Sequence, residues 1–308
     1  MPGFQEKEEE DSTTDAAIPV DAFAVEEEVH MGNNSRKKRK VVFPYGNYHR
    51  YYGYRVGKTL KQDPRMELMQ TQWFQDKDVL DIGCNEGHVT IALAQKYHVQ
   101  SMCGVDIDSG LIFRAGKNLQ TESGVQGAEV LLKSRDWSEY INENGTENDE
   151  DESFDPVAME NEVESVATES LRSLTGKELF ERVQFKNVNF LHCSWRSHIC
   201  DTVLCLSVAK WIHLNWGDEG LIQLFVKIYR LLRPGGVLIL EPQPWKSYEK
   251  KKWVTEVARE NFRNIVIRPD LFSAFLLDKI GFKSCAQITQ DVPDCSAGFS
   301  RPLFLYTK

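Results

Sequence analysis

Short apolar runs that end on glycine alternate along this chain with longer stretches whose apolar residues recur at helical spacing. Asp78-Val-Leu-Asp-Ile82 is rich in strand formers and breaks at Gly83, which predicts a buried strand entering a tight turn. His88 to Tyr97 follows with helical spacing, and 101–107 reads as a second buried strand. A helix is expected near 109–119, and 188–193 and 201–207 read as the third and fourth strands. The helical pattern of 219–232 stops at Arg233-Pro-Gly-Gly236, a helix-ending signal, and 237–241 supplies a fifth strand. Helices suit 250–262 and 271–280, and 284–288 with 303–307 suits a hairpin at the sheet edge. Strands alternating with helices predict an α/β fold with a seven-stranded, mostly parallel sheet covered on both faces.

The first turn carries the chemistry. Gly83-Cys-Asn-Glu-Gly87 joins strand to helix, and Asp106 ends the next strand 19 residues past Gly87. That is the layout of an adenosine-cofactor site: glycines admit the ligand, and a carboxylate accepts hydrogen bonds from ribose hydroxyls. A dinucleotide site wants Gly-x-Gly-x-x-Gly to seat a pyrophosphate, and here only Gly83 and Gly87 are present. Glu86 would repel a pyrophosphate, whereas Asp81 suits a cofactor with an amino group and no phosphate. S-adenosylmethionine fits and NAD does not. The fold expected is therefore the Rossmann-like sheet of S-adenosylmethionine-dependent methyltransferases, over about 41–308.

Charge then changes the picture. The net charge of −9 hides two acidic tracts. Residues 1–30 carry ten Asp/Glu and one Lys, and 139–170 carry twelve Asp/Glu and no Lys or Arg. The other 246 residues therefore stand at +12, which favours a polyanionic partner such as nucleic acid. The acidic tracts predict solvated, disordered segments: a tail over 1–40 and an insertion at about 121–182. Arg36-Lys-Lys-Arg-Lys40 suits a nuclear import signal or an RNA-contacting arm. Seven cysteines, none spaced as Cys-x-x-Cys, support neither a disulfide framework nor a zinc site, so a reducing compartment and no metal are expected. No apolar run reaches the ~20 residues of a membrane span, and no signal-peptide core is seen at the start.

Two further constellations point to the acceptor. Five of ten tyrosines fall in Tyr45-Gly-Asn-Tyr-His-Arg-Tyr-Tyr-Gly-Tyr-Arg55, interleaved with cations that suit a base and a phosphate. This stretch reads as a lid over the cofactor and the substrate's end. The fourth and fifth strands run into loops bearing Lys210 and His213, and Gln243 between prolines, at the edge where α/β sheets bind ligands.

Four strings carry a specific resemblance: Tyr45 to Arg55, Asp81-Ile-Gly-Cys-Asn-Glu-Gly-His88, Lys210-Trp-Ile-His-Leu-Asn-Trp-Gly-Asp-Glu-Gly-Leu221 and Leu240-Glu-Pro-Gln-Pro-Trp-Lys-Ser-Tyr248. In this order, over about 41–120 and 183–308, they resemble the bicoid-interacting family of RNA methyltransferases. The resemblance implies S-adenosylmethionine-dependent methylation of a 5′-terminal RNA phosphate. One branch modifies the γ-phosphate of small nuclear RNAs made by RNA polymerase III, and a sister branch a 5′-monophosphate; these strings are closer to the first. It implies cofactor contacts from Tyr52, Arg65, Gly83, Cys84, Asn85, Asp106, Ile107 and Leu206, with Arg65 on the cofactor carboxylate. The family's Asn-Tyr after the third strand stands here as Ser194 and Trp195, to which adenine contacts are carried. Tyr51, Arg55, Lys210 and His213 would hold the terminal phosphates. The implied partner is RNA with a 5′-phosphate, with RNA-binding proteins as companions, in the nucleus and also compatible with the cytoplasm.

A phosphate oxygen is already anionic near neutral pH, its second pKa being about 6, so positioning cations rather than a general base are expected. Two other classes stay open: a small-molecule methyltransferase, and an RNA-binding chaperone with a vestigial site.

Overall fold

The computed structural model describes residues 42–48, 63–125, 134–143, 173–289 and 301–308. Tyr51, Tyr52, Arg55 and the Arg36-to-Lys40 run lie outside the described residues.

The strands are β1 (Asp78–Ile82), β2 (Ser101–Asp106), β3 (Ile141–Asn142), β4 (Val183–Asn187), β5 (Ser194–Trp195), β6 (Cys200–Leu206), β7 (Leu232–Glu241), β8 (Ser284–Gln287) and β9 (Phe304–Thr307). Seven form one sheet in the order β4-β2-β1-β6-β7-β9-β8, and β3 pairs with β5 separately. The five strands from β4 to β7 are parallel, and β9 inserts antiparallel between β7 and β8. The chain builds outward from β1 through β2 to β4, then crosses to β6 on the other side of β1. Strand direction is thereby preserved while the order reverses, and a crevice opens at the C-terminal ends of β1 and β6.

Alternation along the strands divides the core into two layers. Leu80, Ile82, Val203 and Cys205 face Leu221, Leu224, Phe225 and Ile228 of helix α4 (Ala209–Leu231). Val79, Leu204, Ile239 and Met102 face Val89, Leu93 and Ala94 of α1 (His88–Tyr97). Helix α2 (Ser109–Ser123) begins where the Asp108 carboxylate accepts from Leu111 N at 3.0 Å and stops at Gly124, whose φ of +67° is left-handed. The remaining helices are α3 (Gly176–Arg182), α5 (Trp245–Glu249), α6 (Glu256–Asn264) and α7 (Phe272–Phe275), the last continuing as a π turn over Leu276–Ile280.

Three expectations fail for identifiable reasons. The third strand is β4, five residues upstream of the expected 188–193. The later run is apolar because Val188, Phe190, Leu191 and Cys193 are buried as an irregular wall. The helix expected from 219 starts at Ala209 and continues through Gly217, whose φ/ψ of 65°/−164° kinks it. Asn215, Gly217 and Gly220 disguise the periodicity around that kink. Thirdly, the ends of the supposedly disordered insertion are packed. Trp137, Leu174 and Leu179 are buried. The Arg135 guanidinium lies 4.7 Å from the Trp137 ring and 4.3 Å from that of Tyr140 while pairing with Asp78. A buried tryptophan and a stacked arginine hold this arm to the sheet although its surroundings in sequence are acidic. Residues 126–133 and 144–172 of the insertion lie outside the described residues.

Candidate active site

A cleft of about 820 Å³, counted out to solvent, opens over the C-terminal ends of β1, β2 and β6. Its floor is the first turn. Gly83 N and Cys84 N donate to Val105 O at 2.8 and 3.0 Å, which ties the turn to the end of β2. Gly83 has φ +72°, and a Cβ there would lie 2.3 Å from Val208 Cγ2, so only glycine closes this corner. Asn85 also adopts a left-handed conformation, φ +55°, which its short polar side chain tolerates.

Asp106 stands at the cleft, its carboxylate receiving Asn85 N and Asp108 N, each at 3.0 Å. Burial raises its pKa and these two N–H groups draw it back. Asn85 and Asn47 line the same cleft, and their side-chain oxygens are buried with no hydrogen-bond partner. Acceptors therefore dominate this end: Asp106, Asn85 Oδ1 and Asn47 Oδ1. Such a set suits a ligand rich in hydroxyl and amino donors and repels a pyrophosphate. A nucleoside without phosphates, as in S-adenosylmethionine, fits; a dinucleotide does not. Glu86, expected to add to that repulsion, is instead paired with Arg114 Nε at 2.9 Å.

The segment before the first helix closes the top. Tyr45 stacks on Trp216 at 5.8 Å, and Asn85 Nδ2 donates to Tyr48 O at 3.1 Å. Gly46 presses on Trp211, since a Cβ there would lie 2.1 Å from the indole. Tyr45, Gly46 and Asn47 line the cleft, while residues 49–55 of the stretch read as a lid lie outside the described residues. Gly83, Asn85, Asp106, Ile107 and Leu206 line it too.

Other expected residues lie elsewhere. Cys84 is buried against Gly104, so it offers only its backbone to the cleft floor, and burial pushes its thiol pKa well up. Asp81 lies beneath the turn rather than in the cleft, with the Thr90 hydroxyl donating to it at 2.6 Å. Its pKa is pushed up to about 6, chiefly by burial, against the opposing pull of Thr90 and Arg65. Arg65 is buried between Asp63 at 2.8 Å and Glu241 at 2.9 Å. Ser194 and Trp195 form β5 and do not line the cleft, although the Trp195 ring packs at 5.3 Å behind the cleft-lining Phe190. The cleft is lined instead by Val188, Asn189, Phe190 and Leu191 after β4. The misplaced third strand displaced the assignment: counted from β4, the Asn-aromatic pair is Asn189-Phe190.

Beside the cleft, next to its lining residues Ser207 and Trp211, lies a cationic group that does not itself line it. Lys210 is 5% exposed, donates from Nζ to Ser247 Oγ at 2.9 Å, and lies 4.4 Å from the Trp211 ring centre. Among the described residues no carboxylate pairs with it. Burial, then the charges of Arg301 and Lys251, hold its pKa well below the usual lysine value. Its backbone N–H donates to Gln243 Oε1 at 3.2 Å, Gln243 in turn donates to Ser207 O, and Arg301 donates to Ser207 Oγ at 2.9 Å. No sequence signal marks Arg301, which precedes a strand expected only for its apolar pattern. His213 is not at this edge. It is fully buried, with Nε2 2.7 Å from Asp218 and Nδ1 3.3 Å from the Tyr248 hydroxyl, so both ring nitrogens are committed within the protein. Burial lowers its pKa against the raising effect of Asp218. Asp218 also accepts from Val266 N and Ile267 N, so this histidine fixes α4 to the segment after α6.

Among the described residues no cluster of His, Cys, Asp or Glu could hold a metal ion, and no helix is long and apolar enough to cross a membrane.

Comparison with known proteins gives a consistent picture. A family model described as Bicoid-interacting protein 3 matches residues 200–308, and one described as Methyltransferase domain matches 79–176. An Arabidopsis thaliana protein described as "Probable RNA methyltransferase" is 41% identical, covering 89% of this chain and 83% of that one. The Drosophila melanogaster U6 snRNA methylphosphate capping enzyme is 34% identical, covering 97% and 86%. The human 7SK snRNA methylphosphate capping enzyme is 37% identical over 88% of this chain, which spans 40% of the human protein's length. Mammalian relatives named RNA 5′-monophosphate methyltransferases match at 25–27% identity.

Proposed function

Because this chain belongs to the bicoid-interacting protein 3 family of RNA methyltransferases, we propose that it methylates the 5′-terminal γ-phosphate of a small nuclear RNA. The cofactor is S-adenosylmethionine, which supplies a methyl group on an electrophilic sulfonium. Asp106, Asn85 and Asn47 would receive its hydroxyl and amino donors, the Gly83 turn would admit it, and Asn189, Phe190 and Leu206 would flank its base.

The observation that carries the substrate reading is Lys210. A buried ammonium with a serine as its hydrogen-bond partner, beside Arg301 and Lys251, is a costly arrangement unless an anion completes it. A terminal phosphate supplies that anion and forms charge-assisted hydrogen bonds. Its oxygen needs no deprotonation near neutral pH, so these cations have only to hold it in line without capturing the attacking lone pair. His213 has no part in this step, and Tyr51 and Arg55 keep the phosphate role that the family resemblance implies. The Arg36-to-Lys40 run, together with relatives that act on small nuclear RNA, supports a nuclear location.

Radiolabelled methyl transfer to one RNA sequence bearing a 5′-triphosphate, monophosphate or hydroxyl end tests the reading. Transfer to the triphosphate should exceed that to the monophosphate, with the hydroxyl end inert. Preference for monophosphate would move the protein to the sister activity. A methyl group on a base or ribose would overturn the phosphate reading, and no transfer despite cofactor binding would favour the vestigial site.

A further inference from the structure

Beyond the cleft, one surface combines exposed aromatic area with unmatched positive charge. Residues 244–268 hold seven Lys/Arg and three Glu. Trp253 is 66% exposed. It is flanked by Lys252, whose Nζ lies 5.6 Å from the indole centre, and by Arg259 at 5.8 Å. Lys252 also lies 4.7 Å from the Phe262 ring, Phe262 stacks on Trp245 at 4.7 Å and 16°, and Arg268 lies 4.8 Å from Trp245. Cations and aromatic rings thus form one continuous run from Arg268 to Arg259. Trp245 and Phe262 belong to the small core layer under α6, which accounts for them structurally. Trp253 belongs to no core layer. Arg259 pairs with Glu256, whereas Lys251, Lys252, Arg263 and Arg268 have no ion pair among the described residues.

We propose that this face binds the single-stranded nucleotides next to the modified 5′ end, with Trp253 as a platform for one base and the surrounding lysines and arginines along the backbone. The inference rests on reading the acceptor as RNA. Continuity with the acceptor lysine supports it: Ser247, which accepts from the Lys210 ammonium, lies near the start of the same segment. Trp253 follows six residues later, so the two lie within about 20 Å of each other, the reach of a few nucleotides. Charge separates the candidate partners. Lysine is depleted at the centre of protein–protein interfaces, whereas basic grooves bearing exposed aromatic rings are what single strands require. The platform would act on affinity for the RNA body and leave the reacting phosphate untouched.

The test uses the full chain and 5′-triphosphate RNAs of two lengths, a dinucleotide and a single strand of about twelve nucleotides. Trp253→Ala should raise Kd and KM for the longer RNA about tenfold, the scale of one lost base stack. It should leave kcat, cofactor affinity and the dinucleotide's KM unchanged, and Trp253→Tyr should restore most of the loss. An unchanged Kd for the longer RNA, or an equal loss at both lengths, would overturn the proposal. Both outcomes are read by binding, so they stay distinct from failure of the methylation reading, which would show as no transfer by the unsubstituted chain.

Discussion

The cofactor cleft and the cationic acceptor end beside it are built on opposite principles. At the cofactor end the charged group is satisfied within the protein: Asp106 receives two backbone N–H groups and the turn beneath it is tied to β2. At the acceptor end Lys210 is buried with one hydroxyl as its hydrogen-bond partner and like charges as neighbours. The first end is tied together by backbone hydrogen bonds, with the Asn47 and Asn85 side-chain oxygens as its unpartnered groups. The second keeps an unmatched charge out of water, and an anion from outside relieves it. Preorganisation of this kind is available to a cofactor that every turnover shares. An end that must select among RNA termini gains discrimination from a group left wanting, because a neutral terminus cannot satisfy it.

The largest effect should come from disturbing the rigid end. Gly83→Ala combines a left-handed φ with a Cβ inside the radius of Val208, and should cost about 2–5 kcal/mol as strain and overpacking add. Gly124→Ala is the control, with a similar φ of +67° but open space around its Cβ, and only the strain of roughly 1 kcal/mol should remain. Thermal unfolding of both variants measures the difference. Equal destabilisation would mean that the Gly83 corner yields, and the claim of a preformed cofactor end would fall.

Next comes a crossed pair of substitutions. Asp106→Ala should weaken S-adenosylmethionine binding by roughly 1.5–3 kcal/mol, the scale of hydrogen bonds to a charged group, and leave RNA affinity intact. Lys210→Ala should lower kcat/KM for triphosphate RNA by a similar 1.5–3 kcal/mol, while calorimetry with the cofactor stays unchanged. Each result separates the two ends. If either variant impairs both ligands equally, the ends are one coupled site and the contrast drawn above is wrong.

Much of this division was legible in the chain. β1, α1 and the Asp106 strand end follow from apolar runs, a glycine break and spacing, because local geometry alone dictates them. The hairpin pair 284–288 and 303–307 likewise appears as β8 and β9. What escaped depends on tertiary placement. Residues 188–193 look like a strand because burial, not pairing, selects their apolar character, and this error carried the adenine contacts to Ser194 and Trp195. His213 shares a helix with Lys210, where positions three apart are neighbours, yet the kink at Gly217 sets Asp218 against its ring and commits it within the protein. Arg301 joins the acceptor end from the approach to β9, far from Lys210 in sequence, and no local pattern announces such a meeting.

The smallest effect is also the most direct reading of the unmatched charge. A lysine whose folded pKa lies below its unfolded value binds fewer protons in the folded state. Stability attributable to Lys210 therefore rises with pH across the window between the two values. Lys210→Met keeps the length and apolar bulk of the side chain while removing the ammonium. It should raise stability near neutral pH by about 1 kcal/mol, at the low end of the burial penalty for a polar group, and flatten that rise with pH. The unsubstituted protein should show the complementary behaviour on binding. A terminal phosphate favours the charged amine, so binding takes up a proton and affinity for triphosphate RNA falls as pH rises through the same window. Titration calorimetry in two buffers of different ionisation enthalpy reads that proton uptake. A Met variant that is less stable than the parent, with the parent's proton uptake absent, would show that a partner inside the protein already satisfies Lys210. The acceptor end would then be as self-sufficient as the cofactor end.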